Sequence, residues 1–210
     1  MTEAKEESFI GKFLVLKGAM RELWLIFGTK ILTITAYALV GTSTLGLWLS
    51  SDVGLSDKSA GVVIASWSSV LTIFTVMVGS LVDAIGIRKS LLAGFGLCVI
   101  ARFVMSFFSA PWAALPLGLL PLALGEALQT PVMAAAVRRF STTRQRSIAF
   151  SIYYSMMNVG FAVAAWTFDK VRAGLGEYGH YDVPLLGIQI STYQTIILLG
   201  LLFTIPNLLI

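Results

Sequence analysis

Lys30, Arg102 and Glu126 are the residues whose chemistry is hardest to place in this sequence, because each sits in a long run of uncharged, mostly apolar side chains. Around them the polar residues fall into stripes: Lys30, Thr33, Tyr37 and Thr44; then Glu126, Gln129 and Met133; then Ser147, Ser151, Tyr154 and Asn158. Residues three, four and seven apart share one face of a helix, so each set is a polar stripe on an apolar rod. Such a stripe binds or passes a polar solute, or hydrogen-bonds one helix to the next. Covalent chemistry has fewer candidates. Cys98 is the one cysteine and His180 the one histidine, so a disulfide framework, a metal cluster or an intramembrane Ser–His pair lacks its residues. The expectation is a protein that is not an enzyme and that uses no cofactor and no metal, with Cys98 a small core side chain and His180 a surface residue.

The elements that must position these groups are long apolar helices. The chain has 210 residues, 57% of them hydrophobic and 12% charged, with a mean hydropathy of +0.84; an ordinary soluble domain carries about 25% charged residues. A helix needs about 20 apolar residues to cross a bilayer, and it satisfies its own backbone while doing so. Windows of that size predict six spans: Leu23–Leu49, Ala60–Val82, Ser90–Ser109, Ala113–Val137, Ile148–Phe168 and Ser191–Ile210. Only the connection Asp169–Ile190 is long. Residues 1–22 mix four Lys/Arg with four Glu and repeat Phe9, Phe13, Leu16 and Met20 at helical spacing, which predicts an interfacial amphipathic helix ahead of a six-span bundle over 23–210. Pro116, Pro121 and Pro131 predict a bent fourth span. Gly61, Ala65 and Ser69 predict a seam of close helix packing on the second.

Orientation follows from the cations of the short loops. With the N-terminus inside, the inner segments hold Lys5, Lys12, Lys17, Arg21, Arg88, Lys89, Arg138, Arg139, Arg144 and Arg146, and the outer ones only Lys58, Lys170 and Arg172. The expected location is a cytoplasmic (inner) membrane, crossed many times, with the N-terminus in the cytoplasm. Topology alone therefore accounts for a pI near 9.3, and no nucleic-acid partner is called for.

Between the second and third spans stands "GSLVDAIGIRKS", Gly79 to Ser90. Gly86 lets the chain reverse without a Cβ penalty, whereas Asp83 sits at a helix C-terminus, where the helix dipole disfavours an acid; Arg88 or Lys89 is the partner at hand. The stretch resembles the loop motif of the major facilitator superfamily, G-x-x-x-D-R-x-G-R-R, with Gly79, Asp83, Gly86, Arg88 and Lys89 on matching positions and Ala84 and Ile87 departing. The resemblance implies that these five residues form a conformational latch on the inward side. A second stretch, "RQRSIAFSIYYSMMNVG", resembles the fifth helix of the proton-coupled peptide transporter branch, through Phe150, Ser151, Tyr154, Asn158 and Gly160. The acid- and arginine-bearing motif that this branch carries on helix one is missing from "KILTITAY", Lys30 to Tyr37, so peptide specificity is not carried over.

The resemblance implies an all-α membrane fold: six transmembrane helices, half of a twelve-helix major facilitator fold built from inverted three-helix repeats. It also implies a C-terminal six-helix half as a missing partner, an expectation to which the apolar ending "LLFTIPNLLI" adds. The implied function is secondary active transport of a small solute by alternating access, with proton coupling and an anionic substrate group as finer expectations. The alternative is a six-span scaffold or receptor subunit without transport activity. Lys30, Thr33, Tyr37, Glu126, Gln129, Tyr154 and Asn158 are the candidate substrate-binding residues. Counted at about 1.5 Å per helical residue, Lys30, Arg102 and Glu126 lie about 14, 20 and 18 Å from the nearest interfacial cation, deep enough to need partners. Arg102 and Glu126 are expected as a structural ion pair, which leaves Lys30 to bind an anionic group or to titrate during coupling. The rival arrangement pairs Lys30 with Glu126 across the cavity.

Overall fold

The computed structural model describes residues 15–41, 44–184 and 187–209, apart from the side chains of Ser80 and Asp83. Among them six helical spans are long and apolar enough to cross a membrane: Arg21–Ser51, Asp57–Gly79, Ile87–Phe107, Pro111–Phe140, Arg146–Leu175 and Thr192–Leu209, called spans one to six. The interfacial helix expected over residues 1–22 falls mostly on residues outside those described. Where description begins, residues 15–18 form a turn closed by Ala19 N–H donating to Leu16 O at 2.9 Å, and span one starts at Arg21.

How the spans pack reveals an internal symmetry. Span one lies chiefly against spans five and six, span four against spans two and three, and span three against span six. Exchanging one with four, two with five and three with six maps that set of contacts onto itself. Because short connections make consecutive spans antiparallel, each exchange pairs helices that run in opposite directions. This is the geometry of two inverted three-helix repeats. Spans one, three, four and six are buried over half or more of their apolar stretch, while spans two and five stand at the periphery.

Glycine sets the closest approaches. A Cβ on Gly125 of span four would meet Cys98 Sγ at 2.5 Å and Gly94 O at 2.7 Å on span three, and one on Gly160 of span five would meet Ile31 O at 2.9 Å on span one. The seam expected on span two is not where helices meet: Gly61, Ala65 and Ser69 are exposed, and nothing lies within 4 Å of a Cβ on Gly61. Small residues permit a close approach but do not say which helix will make it.

Prolines shape span four. It enters through a helical turn, Pro111–Ala113, and a π-helical stretch, Ala114–Leu119, before the regular helix Leu120–Phe140. Pro116 has no N–H to donate and Pro121 crowds the preceding turn, so the backbone widens there instead of continuing its i→i−4 ladder. Trp67 of span two donates its indole N–H to the carbonyl of Leu119 at 3.0 Å, satisfying a backbone group at the end of that irregular stretch. Pro131 lies inside the regular part.

The connection between spans five and six is shorter than the sequence suggests. Span five runs on to Leu175, ending at Gly176 with φ +81°, and the strands β1 (His180–Val183) and β2 (Ile188–Ser191) form an antiparallel hairpin pairing His180 with Ser191 and Val183 with Ile188. Ser191 then caps span six in a reciprocal capping box with Gln194.

Candidate functional site

At mid-bundle, spans one, two, four and five line a cavity of about 270 Å³. Span one contributes Lys30, Thr33 and Tyr37, three of the four polar positions its periodicity places on one face, with Ile34 beside them; span four contributes Glu126, Gln129, Thr130 and Met133; Leu71, Thr75, Met157 and Phe161 complete the wall. Thus two stripes, on helices far apart in the chain, face each other across one space.

Glu126 is held from behind. Its Oε1 accepts from Arg102 Nη2 at 2.6 Å, with the two residues 5% and 1% exposed. Arg102 Nη1 donates to Thr204 Oγ1 at 3.0 Å on span six, and Thr204 in turn donates to Gly200 O at 2.8 Å. Cys98 belongs to the same network: its Sγ accepts from Gln129 Nε2 at 3.0 Å and lies 3.7 Å from Glu126 Oε1. A polar chain therefore runs from the cavity wall on span four, through span three, to span six. A charge facing lipid at this depth costs roughly 2.5–3.5 kcal/mol on insertion scales; the pair removes both charges from lipid and gives each a counter-ion.

Lys30 has a different environment. It is 4% exposed, and among the described residues the ion pairs are Arg102–Glu126 and Arg172–Glu177, neither of which includes it. Its ammonium instead lies over the Tyr153 ring, 4.6 Å from the centroid, an interaction worth about 0.5–2 kcal/mol that neutralises no charge. Beside it the Thr33 hydroxyl is buried without a hydrogen-bond partner. Buried polar atoms are nearly always paired, so the unpaired hydroxyl, beside an ammonium in neither of those ion pairs, marks the part of the wall with unused binding capacity.

Of the expected site residues, the structure brings Lys30, Thr33, Tyr37, Glu126 and Gln129 together. Tyr154 and Asn158 are not among the lining residues; Tyr154 is 57% exposed and Asn158 is exposed too. The reason is rotational. Ala149, Tyr153, Gly160 and Ala164 form the buried face of span five against span one, and neighbouring residues point about 100° apart, so Ser147, Ser151, Tyr154 and Asn158 turn outward. Tyr153 is the site residue that the polar stripe missed. Its small-residue neighbours at positions 149, 160 and 164 were the signal for which face is buried.

The expected latch residues cluster at the turn between spans two and three. Gly86 has φ +84° and ψ 160°, a region open essentially to glycine alone; its N–H donates to Val82 O and its carbonyl accepts from Ser90 N–H, so one residue ends one helix and starts the next. Arg88 and Lys89 are exposed, as is Gly79, and the side chain of Asp83 lies outside the described residues.

The family model described as the Major Facilitator Superfamily matches residues 14–168, more than half of the chain. No curated protein matches it.

Proposed function

Since the chain belongs to the major facilitator superfamily, a family of membrane transporters, we propose that it carries a small solute bearing an anionic group, held at Lys30 and moved by alternating access. The observation that supports the reading is the buried Lys30 side chain, which shares a cavity with an unpaired Thr33 hydroxyl and joins no ion pair among the described residues. A carboxylate or phosphate arriving there gains charge-assisted hydrogen bonds and relieves an uncompensated charge. Tyr37 and Gln129 are positioned to select among solutes, with Tyr153 holding the ammonium in place. Arg102 fixes Glu126 in place on the opposite wall. Proton coupling would run through Lys30.

A second six-helix half, laid on the open face of spans two and five, would complete the cavity and bring Tyr154 and Asn158 into contact with solute. In this reading Gly79, Asp83, Gly86, Arg88 and Lys89 latch the inward side, and the excess of inner cations sets the N-terminus in the cytoplasm of an inner membrane.

The test is uptake of a panel of small organic anions into proteoliposomes containing the chain together with its second six-helix half, with empty vesicles as baseline. Flux of at least one anion, abolished by Lys30→Met while the variant stays monodisperse, is the expected result. No flux for any anion favours a scaffold or receptor subunit. Flux that survives Lys30→Met removes Lys30 from the site.

A further inference from the structure

A larger space lies at the other charged locus of the bundle, sharing no lining residue with the Lys30 cavity. Where Glu22 opens span one, Gly86 joins spans two and three and Arg139 closes span four, a groove of about 470 Å³ opens between the helix ends, within the ~300–1,000 Å³ typical of ligand pockets. Its floor is apolar: Leu91 and Phe95 are buried, while Leu25 and Ile85 at its edge are large apolar side chains at least 40% exposed. Its rim is cationic. Arg88, Lys89 and Arg139 line it against one acid, Glu22, and none of the three cations joins an ion pair among the described residues. Asn207 at the end of span six lines it as well, 1% exposed with its Oδ1 unpaired.

This combination selects an amphiphile. A free anion would use the rim and leave Leu25 and Ile85 uncovered, and a neutral hydrocarbon would cover them and leave the rim's excess of cations over acids unmet. We propose that the groove holds one anionic phospholipid, its phosphate between Arg88, Lys89 and Arg139 and its acyl chain along Leu25 and Ile85. The position is that of a headgroup, because the cations occupy helix ends at the membrane boundary while the apolar wall continues into the span. Arginine forks match phosphate oxygens in pairs, and basic pockets between spans hold anionic headgroups by the same chemistry. The unpaired Asn207 oxygen accepts a headgroup hydroxyl. The site is independent of the Lys30 reading: it uses other residues at another depth.

Native mass spectrometry of the chain in neutral detergent, titrated with phosphatidylglycerol or phosphatidylcholine, is the experiment. Phosphatidylglycerol should stay bound where phosphatidylcholine is lost, and millimolar inorganic phosphate should not displace it. The Arg88→Gln/Lys89→Gln variant should weaken binding roughly thirtyfold, from about fivefold per cation near an anionic surface, and Arg139→Gln about fivefold. Arg138→Gln, which removes an exposed cation outside the groove, should leave it unchanged. Equal retention of the two lipids would reduce the site to an apolar groove, and displacement by phosphate would make it a soluble-anion site. An equal loss in Arg138→Gln would show general surface charge. Each of those results overturns the proposal, and the lipid comparison on the parent chain stands even if a variant fails to fold.

Discussion

Replacing Arg102 with Met should destabilise the bundle by about 3–5 kcal/mol, the penalty for removing one partner of a buried ion pair. The figure rests on what Glu126 keeps. With the 2.6 Å bond to Arg102 gone, its remaining neighbour is the Cys98 thiol at 3.7 Å, too long and too weak a donor to hold a carboxylate. Thr204 loses its bond from Arg102 but still donates to Gly200 O, so span six adds little to the loss. Even the lower bound, about 3 kcal/mol, shifts the folding equilibrium by more than a hundredfold at 1.36 kcal/mol per decade. The double variant Arg102→Met/Glu126→Gln should recover most of that, to within about 1–2 kcal/mol of the parent, because a neutral replacement for a buried pair roughly breaks even against the desolvation it avoids. Lys30 supplies a control, since it lines the same cavity as Glu126 and can move to the orphaned acid: adding Lys30→Met to Arg102→Met should deepen the loss. Reversible unfolding in mixed micelles of rising dodecyl sulfate fraction, followed by circular dichroism, measures all four proteins. A double variant no more stable than Arg102→Met, or a single variant within 0.5 kcal/mol (about twofold) of the parent, would refute the claim that these charges depend on each other.

Gly125→Ala should cost about 1–3 kcal/mol, because its Cβ would lie 2.5 Å from Cys98 Sγ and 2.7 Å from a backbone oxygen and force spans three and four apart; Gly96→Ala, with nothing within 4 Å, should be neutral or stabilising, and thermal melts in detergent compare them. Burial lifts the Asp52 carboxyl above its ordinary 3.8, against hydrogen bonds from Ser191 and Ser51 and the charge of His180, which lower it. A raised acid binds protons more tightly folded than unfolded, so stability falls as pH rises from the unfolded to the folded value and is then level. Asp52→Asn should flatten that fall in a pH series of melts, and an unchanged slope would assign it elsewhere. For topology, cysteines at Lys58 and Thr143, both exposed, should label from outside and inside respectively in intact cells; equal labelling of the two would reject the orientation. Ser141 is a poor position for such a probe because it is buried.

Much of the architecture was legible because the bilayer imposes a rule that sequence alone can express. A backbone in hydrocarbon must bond to itself, so runs of about 20 apolar residues read as helices, and six were found where six were expected, with bounds shifted by a few residues. Gly86 was legible for a similar local reason: the turn needs a conformation that only glycine adopts. The facing of side chains was not local. Periodicity put Lys30, Thr33 and Tyr37 on one face, but the partner across from them depended on how each helix is rolled about its axis, and a roll of one residue exchanges Tyr154 for Tyr153. Likewise, the spacing of Gly61, Ala65 and Ser69 resembled a packing seam, yet the tight contacts fell at Gly94, Gly125 and Gly160, and Cys98, unremarkable in sequence, joined the wall of the cavity to the Arg102 pair. Composition and run length determined the six helices among the described residues that are long and apolar enough to cross a membrane, through a free energy that sums over residues independently. Which of its three deep charges is paired, and which is left facing a cavity, was decided by tertiary packing, because that free energy depends on distances between helices that are remote in the chain.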